Sequence, residues 1–186
     1  MAFSSNDLKN GMTLDLPEGL FQVVEFQHVK PGKGGAFVRT KLRNVRTGGT
    51  QDRTFRGGEP LTQAIVEKKE MQLLYREADG FVFMDNQSYD QITAPESTLG
   101  DAPKWMKDSD MAVITFYKDE IIGVDLPASV DLEVTETEPG IQGDRVSGAK
   151  KPAVLETGVS VQVPLFVNIG DRIRVDTRTG DYVTRV

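Results

Sequence analysis

The feature that most restricts the fold of this chain is a period-two alternation of apolar and polar residues, repeated in short runs that end in Gly, Pro, Asn or Asp. Successive side chains of a strand point to opposite faces, so such runs suit a half-buried sheet and fit a helix poorly. The pattern predicts strands over Leu20 to Val29, Ala36 to Val45 and Gln51 to Phe55. A second group covers Met71 to Arg76, Phe81 to Met84, Met111 to Tyr117 and Ile121 to Leu126. A third covers Val130 to Glu136, Val159 to Pro164, Arg172 to Asp176 and Asp181 to Val186. Helical signal is confined to a turn or two around Pro103 to Lys107. Strands this short and closely spaced predict an all-β chain of small barrels, not a parallel βαβ sheet. The groups divide the chain into segments 1–64, 65–126 and 127–186, and the last two are compatible with a pair of diverged barrels. No low-complexity tract or strict repeat interrupts them.

Several function classes drop out early. The chain has no cysteine, which removes disulfides, thiol catalysis and the usual zinc-finger sites. Its apolar runs are broken by charge before they reach the length of a membrane span, so no membrane partner is expected. The start, MAFSSNDLKNGM, lacks a basic-then-apolar export signal, and the expected location is the cytoplasm. His28 is the single histidine, and no Ser-His-Asp arrangement can be assembled around it. It reads as a residue closing the strand before a turn, and no catalytic residue is assigned. The carboxylates Glu67, Glu70, Asp108, Asp110, Asp119 and Glu120 are scattered, without the spacing of a metal site. Neither metal nor cofactor is expected. Trp105, beside Pro103 and Met106, reads as a packing residue before a base-stacking one. No long apolar surface pattern appears, so a monomer is expected.

Charge is distributed unevenly. The whole chain carries −6, which taken alone argues against a polyanionic partner. Residues 1–64 hold nine basic against six acidic residues, a balance of +3, while residues 65–126 hold −7 and residues 127–186 hold −2. Between His28 and Arg56 the basic residues are Lys30, Lys33, Arg39, Lys41, Arg43, Arg46, Arg53 and Arg56, against Asp52 alone. Local field, not total charge, attracts phosphate. Alternation puts Phe37, Arg39, Lys41 and Arg43 on one face of their strand and Ala36, Val38, Thr40 and Leu42 on the core face. A row of Arg and Lys of this kind positions RNA without reading its sequence. The competing reading is a solvated barrel face.

At the start of that row stands His28-Val-Lys-Pro-Gly-Lys-Gly-Gly35. Pro31 restricts one backbone angle, while Gly32, Gly34 and Gly35 open conformations closed to other residues. The stretch suits a hairpin tip that projects Lys33. On spacing alone, it reads equally well as a flexible turn kept soluble by its lysine. A nucleotide-binding P-loop does not fit, because no Ser or Thr follows the lysine and the glycine frame is absent. A Rossmann loop does not fit either, because no helix opens here.

The run from Glu25 to Arg39, EFQHVKPGKGGAFVR, resembles the domain-one tip of the elongation factor P family, as do Lys41 to Asn44 and Arg53 to Phe55. Lys151 to Gly158 (KPAVLETG), Val161 to Pro164 (VQVP) and Gly170 resemble the family's C-terminal signature, and Gly180 to Val186 resembles its ending. The likeness runs in order along essentially the whole chain. It implies an SH3-like KOW-type domain followed by two OB-type barrels, in an L-shaped, tRNA-like arrangement. It further implies a factor that binds the 70S ribosome and its rRNA beside the peptidyl-tRNA and relieves stalling at consecutive prolines. In the family the tip lysine, here Lys33, reaches the CCA end of that tRNA and in many bacteria carries an enzymatic extension, so a Lys33-modifying enzyme is a further implied partner. Pro31, Gly32 and Gly34 match the turn that presents the lysine, and Lys30, Arg39, Lys41, Arg43, Arg46 and Arg53 are the expected RNA-binding residues. A third-domain loop that reads Gly-Asp-Thr in many relatives approaches the mRNA codon. Here it reads Gly143-Asp144-Arg145, where Arg145 departs from the pattern and adds a candidate phosphate contact. Tyr182 and Arg185 match positions near the small subunit and tRNA. The alternatives are a general RNA-binding module of KOW and OB barrels, or a paralogue acting on other messages, and, more distantly, a hydrolase.

Overall fold

The structure is a computed structural model that describes residues 3–140 and 148–186. It is built almost wholly from antiparallel strands. The first segment contains β1 (Phe3–Ser4), β2 (Thr13–Leu16), β3 (Gly19–Val29), β4 (Phe37–Asn44), β5 (Thr50–Arg56) and β6 (Pro60–Leu61). Strands β2 to β5 form a four-stranded sheet in chain order, and β1 pairs with β6. Leu8, Leu14, Leu16, Phe21, Val23, Val38, Leu42 and Phe55 make its buried core. Full burial of side chains such as Leu14, Leu42 and Phe55 contributes roughly 1.5–3 kcal/mol each. In β3 a bulge between Val23 and Glu25 shifts the pairing with β4 by one residue. Phe21 and Val23 face inward before the bulge and Phe26 after it, so the sequence LFQVVEFQHV breaks strict alternation without losing its core face.

The middle segment contains β7 (Glu67–Glu77), β8 (Gly80–Met84), β9 (Gln91–Pro95), β10 (Met111–Tyr117) and β11 (Glu120–Asp125), in the sheet order β11-β10-β7-β8-β9. Phe81, Val82 and Phe83 are consecutive and all buried, so β8, which pairs with β7 and β9 along its edges, is covered on both faces. Two single-turn helices follow β9: α1 (Glu96–Leu99) and α2 (Ala102–Trp105). The second includes the predicted Pro103 turn and ends two residues before Lys107.

The last segment contains β12 (Ser129–Thr137), β13 (Lys150–Leu155), β14 (Ser160–Pro164), β15 (Arg172–Asp176) and β16 (Tyr182–Arg185), ordered β14-β13-β12-β15-β16. Its core contains Leu132, Val134, Leu155, Val163, Ile173 and Val175, joined by Trp105, which is only 4% exposed. Trp105 is thus a packing residue, lying 3.7 Å from the Cβ position that Gly180 lacks.

Alternation does not predict β2, β9 and β13. The last of these starts Lys-Lys and contains Pro152, which argues against an interior strand. The strand is tolerated because its ladder to β12 ends at Thr137–Ala153, one residue short of the proline. The contacts divide the chain into two compact units, Met1–Lys68 with Thr115–Gly123, and Lys69–Ile114 with Val124–Val186. Among the described residues, no helix is long and apolar enough to cross a membrane.

Candidate nucleic-acid interface

The outer face of β4 carries three cations in a row with no ion-pair partner among the described residues. Val38, Thr40 and Leu42 are buried, whereas Arg39, Lys41 and Arg43 are exposed. The alternation therefore places these side chains as the sequence predicts. Ala36 differs from the expectation. It lies beyond the end of β4 and is exposed, and only its backbone is engaged, where the Gly57 N–H donates to the Ala36 carbonyl at 2.7 Å. A side chain at Gly57 would bring its Cβ to 2.9 Å from that carbonyl oxygen, so the close approach at the root of the arm requires glycine.

Between β3 and β4, residues 30–36 are all exposed and form no regular structure. Lys33 sits at the centre of this arm, with Pro31, Gly32 and Gly34 around it and Lys30 at its base. Gly34 has φ of +116°, a conformation that L side chains rarely adopt, while Gly32 and Gly35 keep ordinary angles with open space around them. The presentation of Lys33 therefore depends on one glycine for conformation. His28 is exposed near the end of β3, edge-on to the Phe26 ring at 5.5 Å.

Pairing register shows what flanks the cations. Lys41 lies between Glu25 on β3 and Asp52 on β5, whereas Arg39 lies between Gln27 and Thr54, and Arg43 between Gln22 and Thr50. The row is thus positive at both ends and partly balanced at its middle. The structure does not bring every predicted cation to this face. Arg53 is opposite buried Thr40 and shares the face of buried Phe55, on the other side of the sheet. Its guanidinium lies 5.2 Å from the Phe55 ring centroid and 3.0 Å from Glu18. A hydrogen bond from its own backbone N–H, reinforced by Arg53, holds the Glu18 carboxyl below its ordinary range. Arg46 sits in the turn after β4 and is ion-paired with Glu120 at 2.9 Å. Alternation along β5 already puts Arg53 on the face of Phe55, but ion pairs between distant residues leave no local signal.

In the last segment, Tyr182 is half-buried against the barrel core. Arg185 lies over the Phe166 ring at 5.5 Å and is 3.6 Å from Asp171. Gly143, Asp144 and Arg145 lie outside the described residues. Among the described residues, no cluster of three or more His, Asp or Glu side chains forms a metal site.

Residues 4–61 match the family model of the elongation factor P KOW-like domain, residues 66–124 that of the elongation factor P OB domain, and residues 130–185 that of the elongation factor P C-terminal domain. Elongation factor P of Syntrophomonas wolfei is 53% identical over 183 residues, covering 98% of this chain and 99% of the relative. That of Acidothermus cellulolyticus is 55% identical over 182 residues, covering 98% and 97%. Among solved structures, an eIF-5A-family translation initiation factor from Naegleria fowleri shares the fold over 68% of this chain and 98% of its own, with a TM-score of 0.54 and 13% identity. With three domain models in order along nearly its whole length, and relatives above 50% identity over the same span, this chain belongs to the elongation factor P family.

Proposed function

We propose that the β3–β4 arm is the working end of this chain, holding the CCA end of the peptidyl-tRNA through Lys33 while the outer face of β4 grips RNA phosphates. Family membership makes the chain a ribosome-associated translation elongation factor rather than an enzyme. The observation that carries the finer reading is the exposed seven-residue arm with Lys33 at its centre, set against a strand face where Arg39 and Arg43 have no acidic cross-strand neighbour. Proline restricts the backbone of donor and acceptor alike and reacts poorly. A factor that holds the tRNA end in a productive geometry reduces the entropy lost on reaching the transition state. A tenfold gain requires about 1.4 kcal/mol, within reach of one or two hydrogen bonds from a lysine. The ribosome performs the chemistry.

In this reading Lys30, Arg39, Lys41 and Arg43 contact phosphate directly, while Arg46 and Arg53 first exchange a carboxylate partner. Gly143, Asp144, Arg145, Tyr182 and Arg185 serve contacts to the mRNA codon, the tRNA and the small subunit. The domains run over residues 1–64, 65–126 and 127–186, and an enzyme that extends Lys33 is a further partner. The test is the rate of Pro-Pro bond formation on purified ribosomes saturated with the wild-type protein or with Lys33→Ala. The variant binds and fails to stimulate. Equal rates would move the activity to another surface.

A further inference from the structure

We infer that Phe37 and Arg39 form a stacking platform for one unpaired nucleobase at the neck of the arm. The inference rests on the reading of β4 as an RNA face and adds what that face recognises. Arg39 lies over the Phe37 ring, 5.5 Å from its centroid, and both side chains are on the outer side of the sheet. Phe37 is only half-buried, with Val29 and Arg56 as its cross-strand neighbours. The neck is therefore apolar, aromatic and cationic, unlike the middle of the row, where Lys41 lies between two acids.

Comparison with the other arginines that cover phenylalanine rings singles out this pair. Arg53 is held by Glu18, Arg76 by the Met106 carbonyl, and Arg185 is close to Asp171. The rings beneath Arg53 and Arg76, those of Phe55 and Phe81, are buried. Arg39 has no ion-pair or side-chain hydrogen-bond partner among the described residues. Its guanidinium lies beside the ring, and the residue as a whole is exposed to solvent. A planar cation so placed accepts a base on its open face and a phosphate on its edge. A base inside an A-form duplex has both faces already stacked, so the occupant is a nucleotide of single-stranded RNA.

The test uses the full-length protein, a short single-stranded RNA carrying one 2-aminopurine, and a blunt-ended duplex RNA without unpaired bases. Wild-type protein quenches the 2-aminopurine on binding, as stacking requires. Arg39→Lys keeps the charge and loses the plane. It binds the single strand about tenfold more weakly, with reduced quenching and an unchanged salt slope, and loses much less affinity for the duplex. Phe37→Leu shifts the single-strand affinity in the same direction with its thermal midpoint checked alongside. Absence of quenching by the wild type, single-strand binding by Arg39→Lys equal to wild type, or an equal loss on both RNAs would overturn the platform. The triple reversal Arg39→Glu, Lys41→Glu and Arg43→Glu separates the two readings. If it binds both RNAs like wild type, the RNA face itself is wrong. If it loses both while Arg39→Lys matches wild type, only the platform is wrong.

Discussion

The outer face of β4 and the C-terminal barrel carry the same kinds of cation and use them differently. Arg39 and Arg43 are exposed, with uncharged residues opposite them in the sheet. In the C-terminal barrel, Arg174 grips both oxygens of Asp131 at 2.7 and 2.8 Å, Arg178 faces Asp176 at 3.7 Å, and Arg185 faces Asp171 at 3.6 Å. Within the same unit, Lys107 is 3.0 Å from Glu156, whose other neighbour is the Glu133 N–H. A guanidinium in a two-pronged carboxylate pair has its best donors occupied, and phosphate must first displace the acid. The difference teaches that a count of basic residues is a poor map of an anion-binding surface. The partner status of each cation is the better one.

The largest expected effect is on the barrel side. Trp105→Ala empties a buried site among Leu132, Val134 and Ile173 and lowers stability by about 3–5 kcal/mol. Thermal or denaturant unfolding measures it. A loss under about 1 kcal/mol would mean that the tryptophan is held by something other than core packing.

Next comes the reversal of Arg39, Lys41 and Arg43 to glutamate. Ribosome affinity falls by about a hundredfold or more, and the dependence of log affinity on log salt flattens by roughly 2–3 units as the phosphate contacts are lost. Reversing Arg178 and Lys104, which face Asp176 and Asp101, changes affinity far less. Co-sedimentation at several salt concentrations checks both, and equal losses in the two variants would break the comparison.

A smaller effect follows from the paired carboxylates. A hydrogen bond from Arg174 holds Asp131 below the ordinary carboxylate range. Burial pushes Glu156 up, but the Glu133 N–H and Lys107 together outweigh it and leave the group lowered. A carboxylate whose folded value is depressed contributes stability that is complete above its unfolded value, near 4, and is lost as pH falls through the folded value. The thermal midpoint of this unit therefore stays level down to about pH 5 and drops below about pH 4. Glu156→Gln flattens part of that fall. The fluorescence of Trp105, the single tryptophan, reports the transition, and an identical acid limb in the variant would exclude Glu156 from it.

Smallest of all is the effect of Lys33→Ala on stability. Lys33 is exposed and has no ion-pair or hydrogen-bond partner among the described residues, so the variant unfolds within about 0.5 kcal/mol of wild type. A larger shift would show that the tip is part of the fold and weaken the contrast between a free arm and a self-paired barrel.

The sequence by itself determined which residues of β4 face inward, because side chains alternate along any strand. Val38, Thr40 and Leu42 could be separated from Arg39, Lys41 and Arg43 without knowing a single partner. It likewise determined the exposed glycine-rich arm and, through motifs spread along the chain, the family. Tertiary structure alone decided that Glu18 claims Arg53, that Glu120 claims Arg46, and that Glu25 and Asp52 flank Lys41. It also decided that Pro152 stands in a strand beyond the last β12 pair, and that Trp105 completes a core formed mainly by residues 132–175. Each of these depends on register or on contacts between residues far apart in the chain. Local alternation sets the face a side chain takes, but only the completed sheet sets what it meets there.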